Sequence, residues 1–93
     1  MSGRLVFRLI TPGGILTDLE CTGVTLVSRD GDGVPGGSLG IKYGHLPAVI
    51  ALADRAAVRA SGPEGELFST VVKGGFAHVK DNTVTVVTQG TEP

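Results

Sequence analysis

Apolar residues recur at alternate positions over short stretches of the chain. Leu5, Phe7 and Leu9 alternate with their neighbours in segment 5–10, and Thr alternates with Val in segment 83–87. A period of two is typical of a β-strand with one buried face. The same reasoning predicts further strands at 15–21, 24–27, 56–61, 66–72 and 76–80.

Glycine and proline mark the connections between these strands. Thr11–Gly14 is predicted to be a turn, and Gly62–Gly65 a hairpin loop. Asp81-Asn82 is a candidate two-residue type I′ turn. Ser28–Gly37 is predicted to be the longest loop. Its Gly and Pro residues would interrupt the hydrogen bonding of a regular strand. The 15 glycines and 5 prolines are spread too widely for long helices.

These elements predict one all-β domain that spans residues 1–93. We expect a flattened β-sandwich or barrel of about eight to nine short, mostly antiparallel strands, because the predicted turns are closely spaced. Aromatic residues make up only 4% of the chain and Trp is absent, so the core must come mainly from Val, Leu, Ile and Ala.

Charge, hydropathy and cysteine content limit the classes of partner and the cellular compartment to be expected. A formal net charge of −1 gives no electrostatic reason to bind nucleic acid or an anionic membrane. The longest apolar run, Ala48–Ala53, falls far below the roughly 20 residues of a membrane helix, so we expect membrane contact only through a partner. Cys21 is the single cysteine, which favours a reducing compartment and a small buried side chain.

Few residues suggest chemistry. Gly36–Gly40 matches G-x-S-x-G, and Ser38, Asp54 and His78 follow in the order of a hydrolase triad. A Gly-rich loop is the better interpretation, because no helix is predicted after Gly40. Asp30–Gly33 lacks the later ligands of a calcium loop.

The two histidines, His45 and His78, show no zinc spacing. His45 lies in a bend and is expected to bond the turn or meet a partner. His78 shares a strand face with Phe76 and is predicted to be semi-buried or at the rim. We therefore predict no catalytic residue, no cofactor and no metal.

A series of short motifs follows the strands in a fixed order. They are Thr11-Pro12, Gly14-Ile15-Leu16, Asp18, Val24-Thr25-Leu26, Gly40-Ile41, Gly44-His45, Pro47, Ala51-Leu52, Gly74-Gly75-Phe76, Val79 and Val84-Thr85-Val86. Their order resembles one known family, the N-terminal β-sandwich domain of the epsilon subunit of bacterial F-type ATP synthase, called delta in mitochondria. Tyr43 departs from that pattern, since proline commonly precedes the Gly-His pair.

The resemblance implies a non-catalytic rotor subunit of the central stalk. Such a subunit links the gamma subunit to the membrane c-ring, acts indirectly on the alpha/beta head, and helps couple ion transport to ATP synthesis. The helical hairpin that follows this domain in the family is not found in these 93 residues, so we expect a subunit without it. The implied location is peripheral, on the cytoplasmic face of the bacterial plasma membrane.

The resemblance also assigns surfaces. The implied c-ring contacts are Asp32, Ser38, Lys42, Tyr43 and His45. The implied gamma contacts are Leu46, Val49, Phe76 and His78. The implied structural turn residues are Gly44, Pro47, Gly74 and Gly75. Two alternatives stay open: a free-standing sandwich that binds a peptide or a sugar, and a small serine hydrolase that uses Ser38.

Overall fold

Two five-stranded β-sheets form the protein. The computed structural model describes residues 3–29 and 36–92, and no helix occurs within those ranges. The strands are β1 (Leu5–Thr11), β2 (Gly14–Cys21), β3 (Gly23–Val27), β4 (Ser38–Lys42), β5 (Ala48–Ala51), β6 (Ala56–Gly62), β7 (Gly65–Val72), β8 (Phe76–Lys80), β9 (Thr83–Val87) and β10 (Thr91–Glu92).

Sheet A has the strand order β2-β1-β9-β8-β5, and sheet B has the order β10-β7-β6-β3-β4. Every named pair is antiparallel except β1 with β9, which run parallel. The predicted all-β, mostly antiparallel sandwich is confirmed. Its thinnest dimension is 22 Å, which fits two sheets about 10 Å apart with side chains on both outer faces.

The core lies between the sheets and is built by strand alternation. Leu5, Phe7 and Leu9 of β1 are fully buried, while the residues between them point outward. The Phe7 ring packs on Phe68 of β7 across the two sheets, with centroids 5.8 Å apart and planes tilted by 38°. Cys21 is 3% exposed, as predicted for a small buried side chain.

The β8–β9 hairpin confirms the predicted two-residue turn. Asp81 and Asn82 have φ angles of 51° and 58°, so both central residues are left-handed, as a type I′ turn requires. Asp and Asn accept this conformation better than other non-glycine residues. The turn sets the register that follows, in which Lys80 pairs with Thr83.

Three details differ from the sequence predictions. Ten strands are described rather than eight or nine, because the two-residue β10 is too short to leave a pattern. The Gly62–Gly65 loop is shorter than predicted, since Gly62 and Gly65 pair with each other and leave only two residues between the strands. Thr11 and Gly14 pair in the same way at the β1–β2 turn.

No described helix is long and apolar enough to span a bilayer.

Candidate functional site

The outer face of sheet A carries a row of apolar side chains that crosses all five strands. Ile10 of β1 is the link between edge and centre, because it pairs with a β2 residue on one side and a β9 residue on the other. Paired residues in adjacent strands share a face. We call this set the apolar row: Ile15, Ile10, Val87, Phe76 and Ala51, from β2 to β5.

The apolar row is exposed at its β2 end and on β8, near its β5 end. Ile15 is 62% exposed and Phe76 is 46% exposed, and Leu16 beside Ile15 is 55% exposed. Leu16 is the extra residue of a bulge in the β1–β2 register, between Leu9 and Ile10. A contiguous exposed apolar patch on a small protein marks an interaction surface more often than isolated apolar residues do.

The neighbouring row on the same face is mostly polar. Arg8 forms an ion pair with Asp18, in which Nε lies 3.2 Å from Oδ2. Thr85 and His78 continue the row, and Val49 ends it on β5. The outer face of sheet A therefore has an apolar strip beside a polar one, which is the composition of a partner interface with a polar rim.

Three of the four predicted gamma contacts fall on this face. Phe76 belongs to the apolar row, and His78 and Val49 are cross-strand partners in the next row. Leu46 lies just before β5 and is 79% exposed. Of the two predicted positions of His78, semi-buried or at the rim, the semi-buried one is wrong, because Ala77 and Val79 take the inward positions of β8 and leave His78 and Phe76 outside.

Two of the five predicted c-ring contacts, Ser38 and Lys42, lie on β4, an edge strand of sheet B. Ser38, Gly40 and Lys42 are exposed on one face of this strand, while Leu39 and Ile41 turn toward the core. Ser38 and Lys42 therefore share a face. Because β4 is an edge, its outer backbone groups also remain available to another chain.

The long loop and the bend lie at opposite ends of β4. The loop closes at its base, where the Ser28 N–H donates to the Gly37 carbonyl at 2.9 Å. Asp32, the remaining predicted c-ring contact, lies outside the described residues, as does Asp30–Gly33. A surface that includes both the loop and the bend must run the whole length of β4.

The bend after β4 is a hydrogen-bonded turn. The His45 N–H donates to the Lys42 carbonyl at 3.1 Å, and Gly44 has a φ of 84°. The Gly44 N–H donates to Asn82 Oδ1 at 2.8 Å. The His45 ring donates from Nδ1 to the Leu46 carbonyl at 2.7 Å, so His45 bonds its own turn as expected. Pro47 follows and leads into β5.

Tyr43 extends from the same bend. Its ring is 61% exposed and lies directly against the backbone of Gly3, where a Cβ would overlap the ring carbons. The bend is thus held by contacts from two distant segments of the chain, around Gly3 and around Asn82.

The double glycine before β8 lies in a bend of the chain. Gly74 and Gly75 have φ angles of 69° and 104°, which other residues rarely adopt. The Gly75 carbonyl accepts a hydrogen bond from Leu52 N at 3.0 Å, which ties the turn to the end of β5. The turn therefore fixes where Phe76 enters the outer face of sheet A.

The residues of the hydrolase alternative do not come together in the structure. Ser38 begins an edge strand instead of a strained strand-to-helix turn, and His78 lies in the other sheet. No group of three His, Cys, Asp or Glu residues that could hold a metal comes together in the described ranges. Burial raises the pKa of the Cys21 thiol, which makes this residue less reactive.

Sequence reasoning missed most of the apolar row and the role of Asn82. Ile10 and Val87 occupy the outward positions of their strands, where alternation predicts polar residues. Their apolar character on the polar side of the pattern was the available signal. Asn82 gave no such signal, because its bond to Gly44 joins residues 38 apart.

Comparison with known proteins finds one family. The family described as "ATP synthase, Delta/Epsilon chain, beta-sandwich domain" matches residues 4–93. The chloroplastic ATP synthase epsilon chain of Pylaiella littoralis is 33% identical over 88 residues, which cover 95% of this chain and 61% of that protein. The ATP synthase epsilon chain of Bacillus subtilis is 33% identical over 85 residues, covering 91% and 58%. The chain thus spans about 60% of the length of these relatives.

A solved structure has the same fold. In the mitochondrial ATP synthase of Euglena gracilis, determined as an OSCP/F1/c-ring assembly, one chain superposes with a TM-score of 0.77 at 23% identity. The alignment covers 98% of this chain and 54% of that one.

Proposed function

The chain belongs to the ATP synthase delta/epsilon β-sandwich family, and from this premise we propose that it is a non-catalytic rotor subunit of the central stalk. In this role it links the gamma subunit to the membrane c-ring and helps couple ion transport to ATP synthesis. The observation that carries the proposal is the family match over residues 4–93, which takes in every strand.

The two surfaces of the sandwich suit this role. The outer face of sheet A, with its apolar row and polar neighbour, is the proposed gamma surface and includes Val49, Phe76 and His78. Leu46 extends it beyond β5. The exposed face of β4 and the bend after it form the proposed c-ring surface, through Ser38, Lys42, Tyr43 and His45. Asp32 stays a proposed contact on the adjoining loop.

A packed sandwich supports torque transmission without chemistry of its own. The two sheets are joined through a core of mostly aliphatic side chains, and close-packed interiors resist deformation. Gamma and the c-ring are therefore the proposed direct partners, and the alpha/beta head an indirect one. The proposed location is the cytoplasmic face of a bacterial plasma membrane, where the chain is held by its partners. We propose that residues 1–93 form a single sandwich domain that carries out this role.

Reconstitution tests this function. ATP synthase complexes depleted of their epsilon subunit are placed in vesicles, and ATP-driven ion transport is measured with and without the chain. We expect the chain to restore transport at one copy per complex. Binding to the complex without restored transport, or no binding at all, would reject the rotor role.

A further inference from the structure

The turn between β4 and β5 leaves one backbone donor to be satisfied from outside. Lys42 and His45 close the turn, and Tyr43 and Gly44 are its central residues. The φ of 84° at Gly44 is that of the third residue in a type II turn. In such a turn the only internal hydrogen bond uses the N–H of the fourth residue, so the Gly44 N–H has no acceptor within the turn.

Asn82 supplies that acceptor from a different hairpin. Its Oδ1 lies 2.8 Å from the Gly44 nitrogen. Asn82 is itself fixed, because it is the second central residue of the β8–β9 turn, with a φ of 58°. Its carbonyl also accepts the Val6 N–H at 2.9 Å. The acceptor is therefore held by the backbone of sheet A, whereas the turn begins at the end of β4 in sheet B.

The direction of the Gly44 N–H distinguishes two forms of the turn. Types I and II differ mainly by a rotation of the central peptide, which takes φ of the third residue from about −90° to about +80°. In the rotated peptide the Gly44 N–H points away from Asn82. A side chain that accepts this N–H therefore stabilises the type II form over the type I form.

We propose that Asn82 is a positioning residue, a latch that selects the type II form of the Lys42–His45 turn and thereby orients Tyr43 and His45. The latch itself depends only on the geometry of the turn. Its consequence, correct presentation of the bend to the c-ring, rests on the proposed function.

Two substitutions separate the latch from the fold. Asn82→Gly removes the acceptor but keeps the hairpin, because Asp-Gly is a preferred type I′ pair. Asn82→Asp keeps an oxygen acceptor and tolerates the left-handed conformation. Asn82→Ala is avoided, because alanine adopts the left-handed conformation less readily than Asn, Asp or Gly, so its effect would combine turn strain with loss of the acceptor.

Hydrogen exchange followed by NMR on the 93-residue chain is the direct test. We expect the Gly44 amide to exchange about two- to tenfold faster in Asn82→Gly, the range that one lost hydrogen bond gives, and to return to the wild-type rate in Asn82→Asp. Amides within β8 and β9 should keep their rates in both variants. A Gly44 rate unchanged in Asn82→Gly would overturn the latch, and so would a general acceleration that Asn82→Asp does not reverse.

Ion transport in reconstituted vesicles tests the consequence separately. If wild type restores transport, Asn82→Gly should lower it and Asn82→Asp should recover it. Faster Gly44 exchange with undiminished transport would overturn the positioning role. Failure of the wild-type chain to restore transport would reject the proposed function, while the exchange rates would still decide whether the latch exists.

Discussion

Gly75 lies so close to Val87 that a Cβ on residue 75 would overlap the Val87 carbonyl oxygen. The same Cβ would lie 2.9 Å from the Thr88 Cα, closer than real Cβ atoms approach other atoms. Gly75 also has a φ of 104°. Both the conformation and the space at this position therefore require glycine, and the entry to β8 depends on it.

Gly75→Ala is expected to lower the free energy of unfolding by more than about 1 kcal/mol, since the left-handed conformation alone costs an L residue about that much. Gly75→Val should cost more, because its branched side chain adds to the overlap with the backbone of β9. Urea denaturation monitored by circular dichroism measures both.

Gly40→Ala is the matched control for this prediction. A Cβ at Gly40 would meet nothing within 4 Å, and Gly40 lies in an ordinary strand conformation. We expect its free energy of unfolding to stay within about 0.5 kcal/mol of wild type. Equal effects of the two substitutions would contradict the account of the Gly75 turn.

Much of this local geometry is predictable from the sequence. The Asp81-Asn82 and Gly74-Gly75 pairs are residues that accept positive φ, so their turns follow from local preference alone. Alternation likewise predicts which residues of β1 share a face. It does not say which face is inward when both sets are partly apolar, and for this reason a semi-buried position was considered for His78, which lies on the exposed face of β8.

The pairing of strands that are distant in the chain cannot be predicted from local sequence patterns. β9 lies between β1 and β8, and its parallel pairing with β1 brings Ile10 beside Val87. The apolar row exists only because of that strand order. The Asn82–Gly44 bond has the same origin, since it joins two turns that meet only when both sheets are formed.

Cys21 should make the protein less stable at alkaline pH. The pKa of its thiol is raised in the folded state because burial disfavours the thiolate, while a backbone hydrogen bond from Gly23 acts in the opposite sense. The unfolded chain therefore releases this proton at a lower pH than the folded one. The contribution is intact below the ordinary pKa of 9.0 and is lost as pH rises from there through the folded-state pKa.

Cys21→Val isolates this effect from other groups that titrate at high pH. Valine is apolar and close to cysteine in size, so it should fill the same buried position. Stability measured by denaturant unfolding from pH 7 to pH 11 should fall more steeply in wild type than in Cys21→Val. Parallel pH curves would refute the assignment to Cys21.

The two histidines should separate the two proposed surfaces. His45→Ala removes a bond to the Leu46 carbonyl and a side chain of the bend, so we expect weaker ion-transport coupling with unchanged affinity for gamma. His78→Ala, on the outer face of sheet A, should weaken gamma binding instead. Isothermal titration calorimetry measures the gamma affinity of each variant, and ion transport in vesicles measures its coupling. Undiminished ion-transport coupling in His45→Ala would contradict the proposal that the bend contacts the c-ring.

Phe76 is expected to be an anchor of the gamma surface. Its side chain is 46% exposed and lies in the apolar row between Val87 and Ala51, so Phe76→Ala should weaken gamma binding by about tenfold or more. Leu67, which is 54% exposed on β7 of the other sheet, is the control. Leu67→Ala should leave the affinity unchanged. Similar losses in both variants would argue against a gamma surface confined to sheet A.

Size-exclusion chromatography of the chain mixed with its cognate gamma subunit tests the central claim most directly. At low micromolar concentration we expect the two proteins to elute together as a one-to-one complex. Separate elution of two folded proteins would contradict the stalk role and favour a free-standing sandwich that binds a peptide or a sugar.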